Sequence, residues 1–354
     1  LSVGLNPIWW MAGLIVPPYL HSWDAEDDLA LLHFFRDDPQ NRNLFSSTTG
    51  TFIRMRLLRW ILLVHLAMGT AALAQQDAVP PLPPITEPAS GESLPGKFIW
   101  ADLFSSDVET SRKFYEQVFG WEWRRIKEPP QPYGVFYLDK LPVAGLAYRE
   151  APDGGDSYGR WIHYISVEDV NLTEDAISRR GGHVLLNTRT FADRGDFAIL
   201  RDIHDAPFGI IHSSSGDPGD YRAAFGEWIW RELFTRDLGE SIRFYTELFA
   251  YESEADGRTP EIMQYLLKSH GYLRAGIGAL SPGTDTAPTW LGYIRVEDID
   301  AAVKRTLAHG GKLLLEPKAE IAEGGLAIVT DPTGATIGLL RWDYVDDEQQ
   351  EMQQ

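Results

Sequence analysis

Apolar and polar positions alternate along "FIWADLF" at 98–104, so one edge of that stretch shows Trp100, Asp102 and Phe104 while the other shows Ile99, Ala101 and Leu103. That period of two predicts a strand. At Asp107 the rhythm changes: Phe114, Tyr115, Val118 and Phe119 recur at helical spacing. Asp107 is placed to cap the helix and Gly120 to end it. Two further apolar stretches, "GVFYLD" and "VAGLAY", follow as strands. The pattern then restarts with a strand over 160–167 and a helix ending at Gly181-Gly182. Strands over 183–187, 196–201 and 208–212 close the unit. The reading is a βαβββ unit, made twice.

The whole arrangement occurs again. The 26-residue windows Phe98–Trp123 and Trp228–Ser253 align without a gap and share ten identities. Further on, "WIHYISVEDV" matches "WLGYIRVEDI" and "FAILRDIHDAPFGII" matches "LAIVTDPTGATIGLL". A repeat of this length predicts two copies of one domain. They span 97–213 and 226–343, with 214–225 as a linker and 344–354 as a solvated acidic tail. The fold class is α+β, with four βαβββ units in two tandem domains.

The 354 residues suffice for two such domains. A net charge of −19 argues against a nucleic-acid partner, which needs a basic footprint. With no cysteine in the chain, disulfides, thiolate nucleophiles and thiolate metal sites are excluded. Upstream of the repeat, Arg56 and Arg59 precede the apolar run Trp60–Met68 and then the small-x-small triplet Ala72-Leu73-Ala74. This order is that of a secretory signal peptide at 55–74. It predicts an exported, periplasmic protein with no stable membrane insertion after cleavage; an uncleaved anchor is the competing reading. Residues 1–54 are expected to be an over-extended start or a disordered extension, and 75–96 a Pro-rich extended leader.

The segments "SSDVETSRKFYEQVFGW", "TRDLGESIRFYTELFAY", "VEDIDAAVKRTLAHGGKLLLEP" and "DPTGATIGLL" resemble the vicinal oxygen chelate superfamily of glyoxalases, bleomycin-resistance proteins and extradiol dioxygenases. The resemblance implies that each pair of βαβββ units curls its sheet around a cavity. It also implies a divalent metal held by His or Glu from the first and last strands of a unit. The corresponding positions here are Trp100, Ile162 and Gly209, then Trp230, Leu291 and Gly338. None has a donor side chain, so no cofactor is expected and a divalent metal is disfavoured. His163 adjoins one slot, but a slip of one residue would turn it to the other face of the sheet. It reads as a satisfied or partly exposed histidine, and His204 as a surface loop residue.

Alternation predicts a cavity wall of Trp100, Asp102 and Phe104, faced by Tyr164 and Ser166. In the second domain the wall is Trp230, Glu232 and Phe234, faced by Tyr293 and Arg295. On one reading these aromatic faces and acids bind a small aromatic or cationic ligand. On the other they only fill space where a metal site has been lost. Asp102 and Glu232 are also the candidates for general-base catalysis, if the protein is an enzyme. Arg295 is expected to neutralise Glu232, leaving domain one with the more open pocket. Asn171 reads as a helix cap rather than a glycosylation site, and "RGD" at 194–196 as a turn. A binding protein, a lyase-, isomerase- or dioxygenase-type enzyme and a structural module whose two domains pair with each other all stay open.

Overall fold

The computed structural model describes residues 81–344 apart from 153–154, 156, 256–263, 282 and 320. The signal-type segment, residues 1–54 and the tail beyond 344 lie outside the described residues. No helix among those described is long and apolar enough to cross a membrane.

The first domain opens with β1 (Phe98–Ser105), α1 (Val108–Phe119), β2 (Glu122–Lys127), β3 (Tyr133–Leu138) and β4 (Leu141–Tyr148). It repeats with β5 (Gly159–Ser166), α2 (Val170–Arg179), β6 (His183–Phe191), β7 (Gly195–Arg201) and β8 (Pro207–Ser213). These eight strands form one curved sheet in the order β2-β3-β4-β1-β5-β8-β7-β6. The second domain runs through β9 (Trp228–Thr235), α3 (Leu238–Phe249), β10 (Glu252–Ala255), β11 (Gln264–Ser269) and β12 (Tyr272–Ala279). It then adds β13 (Thr289–Arg295), α4 (Ile299–Ala308), β14 (Lys312–Leu315), β15 (Leu326–Thr330) and β16 (Thr336–Leu340). Its sheet order, β10-β11-β12-β9-β13-β16-β15-β14, is the same.

Each helix starts at an aspartate whose carboxylate accepts a backbone N–H of the first turn: Asp107, Asp169, Asp237 and Asp298. The cap of α2 is therefore Asp169, and Asn171 stands inside the helix rather than capping it.

Ala101 and Leu103 of β1 face the helices, as alternation predicts, but Ile99 does not: a register shift between Phe98 and Trp100 puts it in the cluster of Trp100, Leu82 and Ile85. The resulting cores cross between the domains. Leu103 and Phe114 share one cluster with Ile294 and Val329, while Ile165 and Phe208 share the other with Phe244 and Trp290. Helix α1 touches α4, and α2 touches α3. Two indoles tie the seam: buried Trp121 donates to the Gly226 carbonyl at 2.9 Å and half-buried Trp228 to the Val143 carbonyl at 3.1 Å.

The leader is more than a tether. Leu82 and Ile85 are buried on the concave face of the first sheet. The Thr86 hydroxyl donates to the Ser215 carbonyl at 2.9 Å, and the Leu94 amide donates to Asp217 at 2.6 Å. The 214–225 segment is drawn into the fold by these bonds.

Candidate functional site

Strand alternation and register together build the concave site of domain one. Trp100 lies opposite Tyr164 on β5, Asp102 lies opposite Ile162, and on the other side Asp102 is level with Gly145 of β4. The Trp100 indole donates to Asp102 Oδ1 at 3.0 Å and the Tyr133 hydroxyl to the same oxygen at 3.1 Å. A β-carbon on Gly145 would stand 1.8 Å from that oxygen, so only glycine lets the carboxylate lie across β4. Burial pushes the Asp102 pKa up, against the lowering effects of Arg194, Trp100, Tyr164 and Tyr133. The hydroxyls of Tyr133 and Tyr164 are also pushed well up, first by burial and then by the Asp102 charge.

Domain two repeats the motif with changed parts. Trp230 donates to Glu232 at 2.8 Å, and Gln264 takes the place of Tyr133, donating to Glu232 at 2.5 Å. Gly276 is level with Glu232 and would be crowded by it if it carried a β-carbon.

The metal slots implied by the resemblance do not fit a divalent cation. Trp100, Ile162, Leu291 and Trp230 offer no oxygen or imidazole donor. At Gly209 and Gly338 the space of a side chain is taken by a ring: a β-carbon there would stand 2.1 Å from Tyr164 and 2.0 Å from Tyr293. Among the described residues no cluster of three or more His, Asp or Glu is placed to hold a metal.

Several sequence expectations need correction. Arg194, the arginine of the "RGD" turn, is buried with its guanidinium 3.9 Å above the Trp100 ring, donates to the Pro83 carbonyl and acts electrostatically on Asp102. Domain one thus has an arginine beside its acid. Arg295 does not neutralise Glu232: it donates to the Trp342 and Ala223 carbonyls and stacks on Phe225 and Tyr344. Ser166 turns to the linker and donates to Asp217 at 2.6 Å. Phe104 and Phe234 are fully buried filler, on the predicted faces. With Leu82, Arg194 and Phe197 in place, the space beside Asp102 is only about 10 Å³. That admits one water molecule at most. The pocket of domain one is closed.

A larger space lies elsewhere. Where β1 and β9 begin, a cleft of about 510 Å³ opens between the two domains, the linker and the β12 end. Trp100, Trp228 and Trp230 form its inner wall, and Tyr272, Trp342 and Tyr344 line it farther along. Leu141, Tyr221 and Tyr272 stay exposed along it, although they are large apolar groups. Next to Arg231, which lines the cleft, His163, expected to be satisfied or partly exposed, is wholly buried and accepts a 2.9 Å hydrogen bond from Arg231 Nε at Nδ1. Burial first, and then the Arg231 charge, push the His163 pKa well below the usual range, so the ring is neutral. No sequence period could have exposed this pair, because it forms only when β5 meets β9.

The chain is similar to several known proteins. The chain is 27% identical over 267 residues to the Mycobacterium tuberculosis protein named "Putative glyoxylase CFP32", covering 72% of this chain and 98% of that one. It is 27% identical over 253 residues to the anthracycline biosynthesis protein DauV of Streptomyces sp. strain C5, covering 68% of this chain and 91% of the relative. The Mn(II)-bound glyoxalase from Novosphingobium aromaticivorans superposes with a TM-score of 0.47 at 14% identity, covering 72% of this chain and 85% of that one. The Glyoxalase/Bleomycin resistance protein/Dioxygenase profile matches twice, over 97–210 and 229–339, and with the two βαβββ-paired sheets this makes the chain a tandem member of that superfamily.

Proposed function

We propose that the protein binds a small organic molecule in the cleft between its domains, without a metal. The observation that carries this is the contrast in space: about 10 Å³ beside Asp102 against about 510 Å³ in the cleft. The latter falls in the range that encloses drug-sized ligands, and its aromatic walls suit a flat apolar guest. Trp100 and Trp230 line it, whereas Asp102, Glu232, Tyr164 and Tyr293 are buried on the sheets' concave faces and do not. Export follows from the signal pattern at 55–74 and belongs to the same proposal.

A fluorescent apolar probe, N-phenyl-1-naphthylamine, tests the seat. Ile229→Trp, which fills the cleft, should abolish probe binding, while Leu82→Ala, which loosens the concave face of domain one, should leave it intact. The reverse outcome would move the ligand to the concave face.

A lyase-, isomerase- or dioxygenase-type reaction is the second reading. The raised pKa of Asp102, flanked by two tyrosines, favours it, since such a carboxyl is suited to taking up a proton. It requires Leu82 and Arg194 to leave the concave face. Turnover that survives Asp102→Asn unchanged would remove Asp102 as the base, and with it the observation that favours this reading.

A further inference from the structure

Among the described residues the cleft walls carry Lys97, Arg222, Arg231 and Arg274 together with Asp220 and Glu227. This occurs in a chain whose net charge is −19. Asp220 is already committed: it pairs with Lys97 at 2.9 Å and with Arg274 at 2.5 Å. Glu227 is held by the Ala224 amide at 2.6 Å and faces the Tyr221 hydroxyl at 3.4 Å.

Arg231 is the exception. It is 6% exposed, donates Nε to His163 at 2.9 Å and Nη1 to the Trp230 carbonyl at 2.9 Å, and stacks 4.6 Å from the Trp228 ring. No carboxylate among the described residues pairs with it, and every partner it has is neutral. Burial alone pushes its pKa down, to about 9, with no acid raising it again. The guanidinium is still charged at neutral pH. A buried cation without a counter-ion is costly, and this one is immobilised on a neutral histidine at the wall of a cleft. Its Nη2 edge is left over. His163 is equally specific to this place: Gly292, its equivalent in domain two, lies against the same ring, and a β-carbon there would stand 2.4 Å from it.

We infer that the cleft takes an aromatic carboxylate, its ring against the tryptophan wall and its charge on Arg231. This rests on the cleft being the ligand seat and adds the class of ligand. One free guanidinium edge answers one negative charge, and charge-assisted hydrogen bonds of this kind are the strong ones. His163 fixes the guanidinium without competing for the anion, because it accepts from Arg231 and stays neutral.

A matched pair of probes, naphthalene-2-carboxylate and naphthalene-2-carboxamide, tests the inference on the full chain. Binding is read by calorimetry, and its place by hydrogen-exchange protection of residues 218–223 and 272–274. The carboxylate should bind at least about tenfold tighter than the amide in the unaltered protein. The advantage should weaken with added salt and disappear in Arg231→Gln, with amide affinity retained. Arg231→Lys, which keeps the charge, should keep part of it. If both probes protect the cleft with equal affinity, the anion site is wrong and the cleft reading stands. If neither probe protects it, the cleft reading fails and the anion site with it. A carboxylate preference that survives in folded Arg231→Gln overturns the assignment to Arg231. The comparison in the unaltered protein decides the point even if Arg231→Gln does not fold.

Discussion

The Tyr245 hydroxyl of α3 donates to Asp202 Oδ2 at 3.1 Å, joining the second domain's first helix to the first domain's β7–β8 turn. Trp290 in turn donates to the Tyr245 oxygen at 2.9 Å. The other half of the molecule mirrors this: Trp161 donates to Tyr115 at 3.0 Å, and Asp331 raises the Tyr115 pKa after burial has done so. The repeated "FY" and the turn aspartates of the sequence are therefore an interdomain lock. Tyr245→Phe removes one buried hydroxyl and leaves both Asp202 and Trp290 short of a partner. It should cost about 2–4 kcal/mol of unfolding free energy in urea. A cost below about 0.5 kcal/mol would show that the lock carries no stability.

The same aspartate sets a pH dependence. Burial pushes its pKa up to about 6, only partly opposed by the Ala206 and His204 amides and the Tyr245 hydroxyl. Between the ordinary carboxyl value of 3.8 and about 6, the folded chain binds more protons at this site than the unfolded chain. Its stabilising contribution is thus complete below the lower value and is lost as pH rises through the upper one. Two units correspond to about 3 kcal/mol. The unfolding free energy of the unaltered protein minus that of Asp202→Asn should accordingly fall by up to about 3 kcal/mol between pH 4 and pH 7. A difference that stays flat would contradict the assignment.

The sheets were legible because alternation, aspartate caps and the repeat all agree. What escaped were elements defined by context. Strand β2, "EWRRIK", lies at the sheet edge with half its residues exposed, so it lacks an apolar period. The site suffered more. Parity placed Trp100, Asp102 and Tyr164 on one face correctly, but it could not show that Leu82 would fill the space before them. Nor could it show that Arg194 would arrive from the β6–β7 turn. The cleft lies between domains, where alternation within one strand has nothing to say. His163 and Arg231 are 68 residues apart, and no local pattern links them.

The two copies differ at one helix end in a way that can be repaired. Gly120 closes α1 in the left-handed conformation at φ 74°, and its counterpart after α3 is Ala250, at φ 51°. A β-carbon is disfavoured there by about 1–2 kcal/mol, while glycine adopts the conformation freely. Ala250→Gly should raise stability by about 1 kcal/mol, and Gly120→Ala should lower it by a similar amount. Thermal midpoints moving in opposite directions would confirm the pair. A lower midpoint for Ala250→Gly would show that the alanine methyl is worth more in packing than the strain it brings.

Leu82 gives the leader a measurable role. It is 7% exposed and belongs to the cluster that contains Trp100, Tyr133 and Tyr164. Leu82→Ala should cost about 2–4 kcal/mol, the usual range for a buried leucine that leaves a cavity. A tether with no packing role would lose almost nothing. The pH dependence adds a second signature. Burial is the first cause of the raised Asp102 pKa, so in the unaltered protein this group, too, loses its contribution as pH climbs. Water admitted by the smaller side chain relieves that burial and brings the carboxyl back towards its ordinary range. The penalty of Leu82→Ala should therefore be greatest near pH 4 and shrink towards pH 7, measured as urea midpoints across that span. A penalty that grows with pH would mean that Leu82 does not shield Asp102, and that the concave face of domain one is closed by other groups.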